Sequence, residues 1–148
     1  DGVTKIDGIG SQMHVSCSMD PAEQKRREDA YVNMLNLMVG SHKLVRISEL
    51  DMGLEDKNGN LVNTTDMTEE QHKAMRAYYE FIVKKYLEIV PENQQWGICQ
   101  WCATDSPANS GWRAGLPVGL WDSDYYRKHT YGGFAAGLGA PEYWKEAK

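Results

Sequence analysis

The chain has 148 residues, with 16 Lys and Arg against 21 Asp and Glu and a formal net charge of −5. That length suits one domain, and a negative chain without a basic run gives nucleic acid no electrostatic attraction. No stretch approaches the ~20 apolar residues of a membrane-spanning helix, so we expect neither a nucleic-acid nor a membrane partner. Five Trp and eight Tyr against two Phe suit stacking on sugar rings, and they suit half-buried packing equally well.

The first predicted elements are a strand and a helix. Residues Ile6–Val15 form an apolar stretch that predicts a buried strand, and its two glycines indicate a close approach to the backbone. Asp20 as N-cap and Pro21 at the first helical position predict the start of a helix. Apolar residues at three- and four-residue spacing give this helix one apolar face until it ends near Gly40, so it covers a sheet.

A second strand and helix follow. Leu44–Met52 is predicted to be a strand, and a long polar loop comes after it. Thr68 and Gln71 form a capping box that opens a helix of about 20 residues. Pro91 ends that helix, because proline cannot continue it.

A third strand is predicted over Trp96–Thr104, a loop rich in Gly, Ser and Trp runs to Pro117, and a poorer helix candidate covers Arg127–Leu138. Strands that alternate with helices in this way form a parallel sheet with crossover helices. Three parallel strands leave two unpaired edges and need cover on both faces. The order of elements therefore predicts a larger parent domain.

Cys99 and Cys102 form a C-x-x-C motif inside the third predicted strand. Positions three apart in a strand point to opposite faces, no second Cys or His pair follows, and no helix opens behind the motif. The pattern does not favour a zinc or redox site. We therefore predict no metal and no cofactor.

Each predicted strand ends in polar or aromatic side chains: Gln12 and His14, then Glu49 and Asp51, then Trp101 and Asp105. In a (β/α) barrel the carboxyl ends of the strands build the active site, and period-two geometry places the members of each pair on one face. A carboxylate, an imidazole and an indole that converge would suit cleavage of a glycosidic bond. The carboxylate attacks or stabilises the anomeric carbon, the imidazole orients it, and the indole forms an apolar floor.

Four ordered motifs make the sequence similar to a known family: IDGIGSQMH at 6–14, ISELD at 47–51, GICQWCATD at 97–105 and GWR at 111–113. In order and spacing they resemble the last three strands of glycoside hydrolase family 10. The resemblance implies a retaining endo-1,4-β-xylanase of α/β class on a (β/α)8 TIM barrel. Residues 1–148 would be its C-terminal portion, the last three βα units of a barrel that is incomplete in this chain.

The resemblance also implies catalytic roles. Glu49 matches the nucleophile of the family, His14 matches the histidine hydrogen-bonded to it, and Asp51 matches the carboxylate that orients the histidine. Judged from its own position, Asp51 could instead cap a loop, and Glu49 could be a solvated carboxylate at a strand end.

Four further residues match substrate-binding positions of the family. Gln12 matches a residue in contact with the sugar at the nucleophile, and Trp101 and Trp112 match two indoles that close around that sugar. Arg113 follows Trp112, as it often does in the family. Packing is the alternative role for Trp112.

The chain departs from the family at three places. Cys102 stands where a glycine usually follows the indole, and Arg127-Lys128-His129 stands where Pro-Lys-Pro is usual, which puts the fine shape of the sugar site in doubt. The acid/base of the family lies on an Asn-Glu at the end of an earlier strand, and this chain has no match for it. Retention needs two carboxyl groups about 5 to 5.5 Å apart. We therefore expect the isolated chain to be inactive, and to need the missing N-terminal half or self-association as a two-fold dimer.

Two functions stay open. The first is a fragment of an endo-xylanase that acts on xylan or xylo-oligosaccharide and, as the resemblance implies, works outside the cell, in the periplasm or at the cell surface. The alternative is a non-catalytic carbohydrate-binding or assembly module derived from such a barrel. The presence of Glu49, His14 and Asp51 favours the enzyme, because a binding module needs no nucleophile.

Overall fold

The computed structural model describes residues 2–140, so Asp1 and residues 141–148 of the predicted domain lie outside the described residues. Three strands and three helices alternate along the chain: β1 (Gly8–Ser18), α1 (Pro21–Val39), β2 (Leu44–Glu55), α2 (Glu69–Ile89), β3 (Gln95–Gln100) and α3 (His129–Gly137). Short 3₁₀ turns lie at Thr64–Asp66 and Glu92–Gln94. Within this described part, none of the helices has the length and apolar character to cross a membrane.

The three strands form one parallel sheet in the order β1-β2-β3. The predicted α/β alternation with a parallel sheet is therefore confirmed. The strand bounds differ from the prediction, most of all for β3, which ends at Gln100 rather than at Thr104. Pairing with β2 stops at the Leu50–Gln100 position, and Thr104 instead pairs with Trp121 in a separate parallel bridge.

Local capping rules place the first two helices where the sequence predicts them. The Asp20 carboxylate accepts a hydrogen bond from the Ala22 amide (2.9 Å), and α1 ends at the predicted Gly40 cap. Thr68 and Gln71 make both bonds of a capping box at the start of α2. These bonds satisfy backbone amides that no helical carbonyl reaches, so each helix has a defined first turn.

Helix α3 is shorter than the predicted Arg127–Leu138 and packs against α2 through its glycines. A Cβ on Gly133 would lie 2.2 Å from the Arg76 carbonyl oxygen, and one on Gly137 would lie 2.5 Å from Cβ of Val83. Both distances are far below contact. The two helices therefore meet backbone against backbone at Gly133, and at Gly137 the α3 backbone lies against the Val83 side chain.

Helices α1 and α2 supply the apolar layer that packs on the sheet. The core formed in this way has fully buried members from helices and sheet: Leu35 on α1, Met75 and Ile82 on α2, and Val45, Ile47, Leu50, Met52 and Leu54 on β2. The buried Tyr86 hydroxyl donates to the Val45 carbonyl (2.7 Å) and accepts from the Trp96 and Gly97 amides (3.1 and 2.8 Å). Because these groups lie at the start of β2 and β3, Tyr86 fixes the two strands to α2 and sets where their carboxyl ends lie.

A bulge in β2 lies directly before the predicted nucleophile. Ser11 is opposite Ile47 but Gln12 is opposite Glu49, so Ser48 has no counterpart in β1. Against β3 the same stretch of β2 is also one residue longer than its partner. Bulges of this kind bend a strand and re-aim the side chain that follows, which here is Glu49.

Candidate active site

The middle parts of β1 and β2 bring four predicted residues together in two facing pairs. Both strands continue past these pairs, to Ser18 and Glu55, rather than ending there as predicted. Gln12 lies opposite Glu49 and His14 lies opposite Asp51 in the parallel register. The Gln12 amide donates to Oε1 of Glu49 (3.0 Å), and Nε2 of His14 lies 3.0 Å from Oε2. Both carboxylate oxygens of Glu49 are thereby held, while its side chain stays 21% exposed and open to a ligand.

His14 lies between two carboxylates. Its Nδ1 is 3.0 Å from Oδ2 of Asp51, and its Nε2 is 3.0 Å from Oε2 of Glu49. An ionised carboxylate only accepts hydrogen bonds, so the ring satisfies both contacts when both nitrogens carry a proton. In this state the imidazolium lies between two negative charges, and its orientation is fixed at both ends.

Asp51 is the centre of the cluster and is completely buried. Besides His14, its Oδ2 accepts from Nε1 of Trp112 (2.8 Å), and its Oδ1 accepts from Nη1 of Arg113 (2.5 Å). The Cys102 sulfur lies 3.9 Å from the same Oδ2, and burial, with the Asp51 charge adding, raises the pKa of that thiol to about 11. Asp51 thus connects the strand pair to the loop that follows β3.

Two half-exposed indoles border the cluster. Trp101 is 51% exposed and Trp112 is 41% exposed. Their rings meet His14 edge-on, with centroid distances of 6.1 and 4.6 Å and interplanar angles of 73° and 64°. Exposed indoles next to a held carboxylate form a surface that suits stacking on a sugar ring.

Asp105 does not share a face with Trp101, so that prediction is wrong. Asp105 is only 4% exposed and accepts from the ammonium group of Lys128, which also donates to the Pro117 carbonyl (3.0 Å). The physical reason is the early end of β3, since period two no longer applies beyond Gln100. Burial lowers the pKa of Lys128 despite the opposing charge of Asp105.

Arg113 was predicted to bind substrate, and in the structure its guanidinium donates to other residues of the chain. Nη1 donates to the Val15 carbonyl (2.9 Å) as well as to Asp51, and Nη2 donates to Oγ of Ser16 (3.1 Å). A Cβ on Gly53 would lie 2.6 Å from Nη2. Ser16 and Gly53 were not predicted from the sequence, because the predicted strands ended at Val15 and Met52. Only the longer β2 of the structure places Gly53 inside a strand, where a glycine is a known signal of such a close approach.

Within residues 2–140, no group of three or more His, Cys, Asp or Glu side chains is placed to hold a metal ion. A cavity of about 420 Å³ lies along the unpaired edge of β1, between that strand and the helix layer. Apolar side chains such as Met13, Tyr31 and Met34 line it, and His14 reaches its border. The cavity is therefore next to the polar cluster but does not contain Glu49.

The sequence is similar to those of known glycoside hydrolases. The sequence model described as "Glycosyl hydrolase family 10" matches residues 1–136. The chain is 32% identical over 156 residues to endo-beta-1,4-xylanase Xyn10C of Cellvibrio japonicus, which covers 90% of this chain and 23% of that protein. It is 28% identical over 146 residues to endo-1,4-beta-xylanase A of Thermotoga maritima. That alignment covers 97% of this chain and 13% of the other protein.

A solved structure is similar in fold as well as in sequence. It is a variant of xylanase10C from Cellvibrio japonicus in complex with xylopentaose, with a TM-score of 0.69 and 28% identity. The match covers 93% of this chain and 28% of that one. The chain thus spans less than a third of the length of each of these three proteins.

Proposed function

Since the chain belongs to glycosyl hydrolase family 10, we propose that it forms part of the active site of a retaining endo-1,4-β-xylanase with Glu49 as the nucleophile. One observation supports this most directly. Glu49 is partly exposed, both of its oxygens are held by Gln12 and His14, and two exposed indoles contact His14. A carboxylate fixed in this way presents a defined oxygen to a sugar bound above it.

In the proposed reaction the Glu49 oxygen forms a bond to the anomeric carbon while the glycosidic bond breaks. The leaving oxygen takes a proton from an acid, and a covalent glycosyl ester remains on Glu49. A water molecule, deprotonated by the same group acting as base, then attacks the anomeric carbon and releases the Glu49 carboxylate. His14 keeps the carboxylate oriented through both halves, and Asp51 keeps His14 oriented.

The acid/base must be a second carboxyl group about 5 to 5.5 Å from the nucleophile. Among the residues that the structure describes, Asp51 is the other carboxylate bonded to His14, but it is completely buried and accepts from three side chains. It cannot approach a leaving group. We therefore propose that the acid/base comes from polypeptide outside this chain, and that the chain alone does not hydrolyse xylan.

The proposed substrate is xylan or a xylo-oligosaccharide. The similar Cellvibrio japonicus structure contains xylopentaose, and the exposed Trp101 and Trp112 suit stacking on successive or facing sugar surfaces. Gln12 is proposed to contact the sugar at the nucleophile, since its amide already reaches Glu49. A direct contact between Arg113 and substrate stays a prediction.

We also propose that the described elements are the last three βα units of a (β/α)8 barrel. The unpaired edge of β1 and the apolar cavity beside it support the addition of further strand and helix units there. A second copy of the chain could cover the same edge, and light scattering would separate a dimer from a monomer. A polymeric substrate favours a location outside the cell, in the periplasm or at the surface.

The test of the nucleophile is Glu49→Ala in the complete protein, with Glu55→Ala as the matched control. Glu55 ends the same strand but pairs with Arg27, so its loss should leave turnover nearly intact. Glu49→Ala should lower release of reducing sugar from xylan by several orders of magnitude and leave xylopentaose binding largely in place. Added azide should restore cleavage and give a product of inverted configuration.

Activity of Glu49→Ala within tenfold of the unmodified protein would refute the assignment. If the complete unmodified protein binds xylopentaose but releases no reducing sugar, the alternative of a non-catalytic carbohydrate-binding module would replace the enzyme. Hydrolysis by the isolated 148-residue chain would refute the proposal that the acid/base lies elsewhere.

A further inference from the structure

Arg113 connects the indole loop to both site strands. Its guanidinium donates to the Val15 carbonyl and the Ser16 hydroxyl on β1 and to the Asp51 carboxylate on β2. The side chain is 15% exposed. A guanidinium has its donors in a fixed plane, so three partners on two strands fix its position and orientation.

The backbone at Arg113 is held in a conformation that such residues rarely adopt. Its φ is +44°, in the left-handed region. The Arg113 carbonyl accepts from the Leu116 amide (3.0 Å), which closes the turn that follows. Strain of this kind persists where the surrounding contacts require it, and the contacts made by the Arg113 side chain supply that requirement.

Gly53 provides the space in which the guanidinium lies. A Cβ there would be 2.6 Å from Nη2 and 3.4 Å from Cζ of Arg113. The glycine is buried within β2, two residues after Asp51, so any side chain would displace the guanidinium from the carboxylate. The position of Arg113 is thus determined by β1 and β2 rather than by its own loop.

Through Asp51, Arg113 acts on the two groups that border the nucleophile. One oxygen of Asp51 accepts from Arg113, and the other accepts from both His14 and Trp112. A carboxylate held at one oxygen by a guanidinium cannot rotate freely, so the other oxygen stays directed at the imidazole and the indole. Without Arg113, the buried charge of Asp51 would also lose its shortest hydrogen bond (2.5 Å).

We propose that Arg113 is a positioning residue, which fixes the Asp51 carboxylate so that His14 and Trp112 take up their places around Glu49. It acts through Asp51 and touches no reacting atom. The role deepens the proposed glycosidase function and rests on it for its catalytic consequence. The effect on Trp112 is a property of the folded protein and is measurable whether or not the protein cleaves xylan.

The experiment uses the complete protein labelled at its indole nitrogens, with the Trp112 signal assigned from Trp112→Phe. In Arg113→Ala, the Trp112 indole N–H should move in the NMR spectrum and exchange with solvent about tenfold faster, because its acceptor is no longer fixed. Gly53→Ala should have the same effect although the arginine is retained. Added guanidinium ion should return the Arg113→Ala signal toward its original position.

Kinetics on xylan provide the second measurement. Arg113→Ala should lower kcat by about 10- to 100-fold with a smaller change in KM, since the geometry around the nucleophile is lost rather than the sugar contact. Arg113→Lys should recover only part of this, because an ammonium cannot reproduce the planar set of bonds. Guanidinium ion should restore kcat in Arg113→Ala and have no effect on Arg113→Lys.

Arg27→Ala is the matched control. Arg27 is also a half-buried arginine, 22% exposed, which pairs with carboxylates and donates to the Ser16 carbonyl (2.7 Å). Its partners are Glu23 and Glu55 rather than Asp51. Its loss should lower the unfolding temperature to a similar extent but leave the Trp112 signal and kcat unchanged.

An unchanged Trp112 signal in both Arg113→Ala and Gly53→Ala would overturn the proposal. So would a control variant that shifts the signal equally, because the effect would then reflect general loss of stability. A larger rise in KM than fall in kcat would also overturn it, in favour of direct contact with substrate. If the unmodified protein does not cleave xylan, the proposed function fails, and the NMR measurement alone decides the role of Arg113.

Discussion

Replacement of Asp51 by asparagine is the most direct test of the cluster, because the two side chains have nearly the same shape. An amide has one acceptor oxygen and one NH₂ donor, whereas the carboxylate offers two acceptor oxygens. In the structure, one Asp51 oxygen accepts from Arg113 and the other accepts from His14 and Trp112. Either orientation of the amide therefore directs an N–H group at another donor.

The magnitude follows from the burial of these groups. Removal of one partner from a buried ion pair costs about 3–5 kcal/mol, and an unsatisfied buried donor costs about 1–3 kcal/mol. Arg113 is 15% exposed, so water satisfies part of its guanidinium. We therefore expect Asp51→Asn to lower the free energy of unfolding by about 3 kcal/mol, at the low end of the first range.

The assay is urea unfolding of the complete protein, followed by tryptophan fluorescence. With a slope of about 1–3 kcal/mol per molar urea, a loss of this size lowers the midpoint by about 1–3 M. Asp122→Asn is the control, because among residues 2–140 the Asp122 carboxylate accepts from the backbone amides of Asp124 and Tyr126, and an asparagine oxygen can replace it. We expect that variant to stay within about 0.5 kcal/mol of the unmodified protein.

Equal midpoints for Asp51→Asn and Asp122→Asn would refute the reasoning. Such a result would mean that Asp51 accepts fewer hydrogen bonds in solution than its contacts indicate, and that the cluster is not held together by this carboxylate. Loss of xylopentaose binding without loss of stability would point instead to a direct contact between Asp51 and the ligand.

Two further predictions concern buried ionisable groups. Lys128→Met should lower stability by about 3–5 kcal/mol, because it leaves Asp105 charged and buried, and the double variant with Asp105→Asn should recover part of the loss in thermal unfolding. Burial raises the pKa of Tyr78 to about 12 and also raises the pKa of Tyr31, while an unfolded tyrosine ionises near its usual value of about 10. The contribution of these phenols to the free energy of unfolding should therefore be fully present below pH 10 and fall as pH rises toward 12. Urea midpoints at successive pH values should show this fall, and it should be smaller in Tyr78→Phe.

Each of these predictions has a contrary outcome. A double variant less stable than Lys128→Met alone would show that the Asp105 charge is not the source of the loss. Urea midpoints that are constant from pH 9 to 12, or an alkaline fall that is unchanged in Tyr78→Phe, would show that Tyr78 ionises equally in the folded and unfolded states.

Local chemistry made the helix starts predictable from the sequence. Asp20, Thr68 and Gln71 act on amides two or three residues away, so no distant contact is needed to place them. The contacts among Gln12, His14, Glu49 and Asp51 were also predictable, because alternate residues of adjacent parallel strands lie side by side on one face of a sheet.

The contacts that the sequence did not reveal depend on pairing across space. The end of β3 is set by where its ladder with β2 stops, and this separates Trp101 from Asp105. The route of Arg113 past Gly53 joins residues 60 positions apart in the chain. No local pattern encodes such a contact, and the predicted strand ended at Met52, one residue before the glycine.

Helix α3 is stabilised by its contacts with α2 rather than by the helix propensity of its own residues. Three of its nine residues are glycine, and each costs about 1 kcal/mol relative to alanine in a helix interior, so a segment this short would be unfolded in isolation. Its formation therefore waits for α2, whose backbone receives Gly133. Trp112 lies in the loop between β3 and α3. Because that loop is fixed at its far end by α3, we expect Trp112 to take up its position after the strands have formed. In a folding experiment with pulsed hydrogen exchange, the α3 amides should become protected later than those of α2, so the Glu49 carboxylate would be in place before the Trp112 indole.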